Sequence, residues 1–144
     1  MTTPSKIISE YLIGEGMLTH PSLEQDWPVY VGCLPDADGV DDDISAVFDS
    51  PGVLHGKQMD GVQRQHYGIQ MRFRSVYEQD GYDKAQEIVT ALLAMSNEDV
   101  EIDVDEVWTL NSFTQASDII VIHVDEKVRT HQTVNLIVAY TRKV

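Results

Sequence analysis

Apolar residues recur along the chain with two different spacings. Ile7, Ile8, Tyr11 and Leu12 follow a helical interval behind Thr3-Pro4, where threonine can accept a free N–H of a helix start and proline fits the first helical position. Gly14 or Gly16 supplies the stop. Trp27 to Pro35 reads as a strand closed by proline, and Ile44–Phe48 as a short strand ended by the turn Asp49-Ser-Pro-Gly52. Between them, Asp36-Ala-Asp-Gly-Val-Asp-Asp-Asp43 carries five acids in eight residues and predicts a solvated loop. Val53–Gln65 is polar, contains glycine and shows no period, which predicts a mobile loop. From His66 the period becomes two: Tyr67, Ile69, Met71 and Phe73 alternate with Gly68, Gln70, Arg72 and Arg74, a half-buried strand with a cationic outer face.

Asp80-Gly81 opens a second predicted helix whose apolar face is Tyr82, Ala85, Ile88, Val89, Leu92 and Leu93, with Asn97 capping its end. Val100, Ile102 and Val104 alternate with Glu101, Asp103 and Asp105 in a strand that continues toward Trp108 and Leu110. Asp118–Val124 and Thr133–Thr141 form two further strands, joined as an antiparallel hairpin by a long charged loop. The expected fold is α+β: a mostly antiparallel sheet of about six strands with two helices on one face, in a single domain over residues 1–144. Asp118–Val124 is apolar on both of its faces, and the strand after it keeps Ile137 and Ala139 opposite Val134, Leu136, Val138 and Tyr140. Two short helices cover one face of such a sheet, so the other is expected to be covered by another copy of the protein or by a partner, unless a tight curl of the sheet hides it.

The charge balance narrows the function. Lys and Arg number 10 against 24 Asp and Glu, a net charge of −14. Stable binding to a phosphate backbone or an anionic membrane needs clustered cations, which this balance disfavours. The longest apolar runs fall far short of the ~20 residues of a membrane span, and no signal peptide is visible. The single cysteine, Cys33, excludes an intrachain disulfide and a cysteine-based zinc site, and its apolar strand predicts a buried thiol.

Catalytic patterns are not assembled. No phosphate loop, nucleophile elbow or His-Glu-x-x-His helix occurs, and the five histidines at 20, 55, 66, 123 and 131 are scattered. His123-Val-Asp-Glu126 could in principle present metal ligands from one strand end, but reads as a strand running into a charged turn. The acidic loop fails the EF-hand spacing, with Val40 fifth, Asp41 sixth and Val47 twelfth. Arg72 and Arg74 are expected to pair with carboxylates. No enzyme activity and no cofactor are expected.

Over residues 44–141 the order of segments resembles the tail terminator proteins of long-tailed bacteriophages, also labelled tail completion or minor capsid proteins. Ala46-Val-Phe-Asp-Ser-Pro-Gly52 is similar to their strand and turn before a variable loop, and Gly68-Ile-Gln-Met-Arg-Phe-Arg-Ser75 to their central strand. Asp80-Gly-Tyr-Asp-Lys-Ala-Gln-Glu-Ile-Val-Thr-Ala-Leu92 resembles the helix that follows. Asp125-Glu-Lys-Val-Arg129 with Thr133-Val-Asn-Leu136 resembles the closing hairpin. The resemblance implies a virion structural protein that assembles in the host cytoplasm and sits at the head-proximal end of the tail. There it forms a ring, usually a hexamer, that ends tail-tube polymerisation and joins tail to head. The implied partners are its own copies, the tail tube protein and a head-completion or neck protein, with DNA passing through unbound. A head-completion protein on a similar fold is the alternative within this class, and a small cytoplasmic ligand-binding domain, with 53–65 as lid, outside it. Glu101, Asp103 and Asp105 are the expected lumen-facing acids, projecting from one strand face while Val100, Ile102 and Val104 anchor the other.

Overall fold

In the computed structural model, which describes residues 2–57 and 63–143, Thr3 caps helix α1 (Pro4–Gly14) as its place before proline predicts. Its hydroxyl accepts the Lys6 N–H at 3.4 Å. The Asp49 carboxylate accepts the Ser5 N–H and hydroxyl at 2.9 and 3.0 Å, an anion set against the positive end of the helix dipole. Ile7, Ile8, Tyr11 and Leu12 are buried, and Gly16, with φ +75°, turns the chain after the helix.

Helix α2 (Glu78–Ala94) starts two residues before the predicted Asp80 and places Glu78 and Asp80 in its first turn. Its buried stripe is Gly81, Ala85, Ile88, Val89 and Leu92. Tyr82 and Leu93, expected inside, are 43% and 45% exposed. At 100° per residue they stand roughly 70–90° from the middle of that stripe, on its flank. Gly81 is where helix meets sheet: a Cβ there would lie 2.5 Å from Ser75 Oγ and 3.1 Å from Gln132 Nε2. The helix stops at Met95. Asn97 does not cap it but takes a left-handed φ of 51° in the connection and accepts a hydrogen bond from the Asn111 side chain.

Seven strands build one sheet: β1 (Val29–Val31), β2 (Ile44–Lys57), β3 (Gln63–Ser75), β4 (Glu98–Asp103), β5 (Glu106–Gln115), β6 (Ile120–Val124) and β7 (Thr130–Lys143). The order is β1-β2-β3-β7-β5-β4, with β6 also on β7, and every pair except β1–β2 is antiparallel. The α+β architecture is therefore the expected one, with several boundaries moved. Of Trp27–Pro35 only Val29–Val31 pairs as strand; Trp27 (φ 55°) and Gly32 (φ +74°) bend the chain on either side. Asp49-Ser-Pro-Gly52 is a register shift inside β2 rather than a turn. Among the described residues, the outer edge of β2 beyond Val47 has no strand neighbour, so a proline there removes no second ladder bond. The predicted loop 53–65 consists of strand backbone at 53–57 and 63–65, and its middle, 58–62, lies outside the described residues.

The expected strand from Val100 to Leu110 is a hairpin, β4 and β5 around Val104-Asp105, because the apolar alternation runs on across a two-residue turn. β5 and β6 pair with the same edge of β7, β5 along Leu136–Lys143 and β6 along Thr130–Thr133. At the break between them, the Ala116 and Ser117 N–H groups both donate to Asn135 O, and Ser117 Oγ accepts the Asn135 N–H. The predicted long loop between β6 and β7 is only the five residues 125–129.

Both helices lie on the sheet face that carries Val47, Ile69, Met71, Phe73, Leu110, Phe113, Val134, Leu136, Val138 and Tyr140, all buried. Trp108 meets Tyr140 edge-on at 4.9 Å. The opposite face is not the apolar sheet the pattern suggests: its rows are mostly small or polar, and Ala139 is buried. Exposed apolar surface concentrates instead on β6, where Ile120, Val121, Ile122 and Val124 are 39–57% exposed.

Candidate functional site

The charges converge where the acidic loop meets the β6–β7 turn. Arg74, on β3, and Arg129, at the end of the β6–β7 turn, are both buried, at 1% and 3% exposure. Among the described residues no carboxylate pairs with Arg74. Its guanidinium donates to the backbone carbonyls of Pro35, Asp41 and Asp42 at 2.9, 2.8 and 3.1 Å. Burial pulls its pKa down from the ordinary arginine value, with the Arg129 charge adding to the effect. Arg129 does hold carboxylates: Asp36 at 3.1 Å, Asp42 at 3.2 Å and Asp125 at 2.9 Å. Lys127 adds a second bond to Asp36 at 2.9 Å. The acidic loop is therefore not merely solvated. One arginine grips its backbone and another gathers its side chains.

Asp125 organises the turn. Its Oδ1 accepts the N–H groups of Lys127 and Arg129, and its Oδ2 accepts Arg129 Nε and lies 2.8 Å from His131 Nε2. Burial opposes ionisation of this carboxyl. The hydrogen bonds from His131, the Arg129 backbone and the Arg129 side chain outweigh that and hold it far below the usual carboxylate range. The His123 ring stacks on His131 at 4.1 Å between centroids and 21° between planes. Burial pushes His131 below its ordinary pKa; the Asp125 bond opposes this, while the neighbouring His123 and Arg74 reinforce it. The histidines are thus not all scattered: the hairpin brings two of them together. The spacing held the signal, since 123 and 131 are symmetric about residue 127, the centre of the turn. The group that joins them is a structural ion cluster, and among the described residues no three ligands are placed to hold a metal.

The other candidates separate. Glu101 lies exposed on β4 opposite Val107, on the sheet face away from the helices. A register shift at Ile102 then breaks the alternation. Asp103 stands opposite Glu106, its Oδ1 accepting the Val104 N–H at 2.7 Å, and Asp105 occupies the turn. The three acids do not share one strand face. Val104 anchors nothing; it is 84% exposed. Cys33, expected to be buried, is exposed because the strand ends before it, at Val31. A cleft of about 500 Å³ lined by Glu24, Asp26, Trp27, Asp41, Asp42, Asp43 and Val76 is too rich in carboxylates to welcome an anion.

Arg72, two residues from Arg74 on the same sheet face, takes a different environment. Its guanidinium lies 4.9 Å from the Phe48 ring centre, and its Nε donates to Gln70 Oε1 at 2.9 Å. Gln70 in turn donates to Asn135 Oδ1 at 3.3 Å. Among the described residues neither Arg72 nor Arg74 meets the expected carboxylate. Among the described residues no helix is long and apolar enough to cross a membrane. No protein-family model matches the chain, and no curated protein matches it.

Proposed function

We propose that this chain is a virion structural protein that closes into a ring of identical subunits and ends a phage tail tube at its head-proximal end. The observation that carries the reading is β6. It is an edge strand with four apolar side chains exposed on both faces, in a chain of net charge −14. Such a strand calls for a protein cover. The order of segments in the sequence supplies the kind of assembly, a ring between tube and head with DNA passing through it. Of the three acids expected at that passage, Glu101 is the one still suited to line it, since Asp103 stands on the other face of β4 and Asp105 occupies the turn. Like charge on the wall keeps the DNA from sticking.

Sedimentation and negative-stain imaging of the purified protein, with fractionation of phage tails and heads, test the reading. The expected result is a ring, for a hexamer six times the 16.2 kDa chain, that co-purifies with tails. A 16.2 kDa species at every concentration and salt, absent from tails, would overturn it. Recovery on heads alone would move the protein to the head-completion side of the joint.

A further inference from the structure

Across the sheet face away from the helices, Tyr30, Ala46, Arg72, Thr133 and Ile120 pair side by side through five strands, with Phe48, Gln70 and Asn135 in the next row. Phe48 and Gln70 fix the plane of the Arg72 guanidinium, yet no carboxylate of the described residues pairs with it. In a chain with 24 acids and 10 bases, a half-buried, oriented arginine left without a carboxylate is an unfilled half of an ion pair. Ile120 (51% exposed) and Ile137 (39%) lie on the same face and add exposed apolar surface to it.

The complement lies at the opposite corner of the sheet. The β4–β5 turn puts forward Val104, 84% exposed, between two aspartates. Asp103 bends back onto the Val104 N–H, and Asp105 is exposed in the turn. Val107, beside this turn, pairs with Lys143, ten residues along β7 from Thr133 in the Arg72 row. At the rise of a strand that separation is roughly 30 Å, so the two halves cannot meet within one chain. We infer that they meet between copies: Val104 of one subunit seats against Phe48 and Ile120 of the next, and Asp105 pairs with Arg72. Two different patches then join head to tail, the type of contact that closes into rings when its rotation permits. The inference rests on the ring reading and names the contact that makes the ring.

Arg72→Glu and Asp105→Arg, each checked for an unchanged melting temperature, are compared with the unaltered protein by sedimentation velocity. Each substitution is expected to weaken association by about tenfold or more. An equimolar mixture of the two is expected to assemble again, because every contact is then either the original pair or its reversal. Val104→Ser, which touches no charge, is expected to weaken association as well. Full assembly of either charge variant alone would overturn the contact and leave the ring standing. So would a mixture of folded variants that fails to assemble, or an Arg72→Glu protein that forms rings but no longer binds tail tubes. An unaltered protein that never self-associates would overturn the contact and the ring reading together.

Discussion

At its turn, the β6–β7 hairpin satisfies the charge it buries: Arg129 meets three carboxylates, and Asp125 also takes His131 and two backbone N–H groups. A few residues away on the same hairpin, β6 leaves Ile120, Val121, Ile122 and Val124 exposed. The polar end is inside and the apolar end is outside, the reverse of ordinary burial. The buried charges find every partner within the chain, so they set the shape of this corner. The strand leaves its four apolar side chains exposed, so it offers surface. Shape and surface are assigned to opposite ends of one hairpin, and each assignment can be broken separately.

The largest effect is expected at Arg74. Replacing it with methionine keeps much of the volume but leaves the carbonyls of Pro35, Asp41 and Asp42 without their donor, and should cost about 4 kcal/mol in urea unfolding. A loss below about 1 kcal/mol would mean that water replaces the guanidinium and that this corner is softer than described. Arg129→Gln should cost less, about 2 kcal/mol, because Asp36 and Asp42 are already about half exposed and return to solvent easily.

Acid offers a subtler test of the same corner. The pKa of His131 is lower in the folded chain than the ~6.5 of an unfolded histidine, so the unfolded state binds more protons between the two values. Its stabilising contribution is complete above about pH 6.5 and is lost as the pH falls below that. The contribution of Asp125, whose pKa its hydrogen bonds hold far below the ordinary carboxylate range, is lost only at more acidic pH. Urea midpoints measured from pH 7.5 to 5 should fall for the unaltered chain and fall less for His131→Asn. Equal slopes would remove His131 from the account.

The smallest stability effect is expected at the open end. Ile122, 39% exposed at a bulge in β6, should tolerate serine with a change of under about 0.5 kcal/mol in the isolated subunit. The same substitution should measurably weaken assembly. A large loss of monomer stability would show instead that β6 is already packed within its own chain.

Patterning made the helical stripes, the Thr3-Pro4 start and the two-residue period of β3 legible, because burial on one face imposes a period directly. The arginine corner was hidden for a physical reason. A run of aspartates reads as side-chain charge, whereas Arg74 is held by the backbone carbonyls between those aspartates, and carbonyls carry no sequence signal. Val104 was misread because its apolar character keeps the strand period while its position is the turn. The pairing of His123 with His131 was available from symmetry about residue 127, but only once the hairpin had been placed at its true, short length.

The strand at the middle of this sheet comes after every other strand in the chain. β7 pairs with β3, β5 and β6, so until residues 130–143 leave the ribosome each of those three strands has an unpaired edge. During synthesis the protein is a set of raw edges, each able to pair with the wrong chain, and most of the sheet must close in one late step. Pulse-labelled hydrogen exchange would show this as protection arising together in β3, β5 and β7. Early protection of β3 with β7 still open would show that the β2–β3 hairpin stands without its centre.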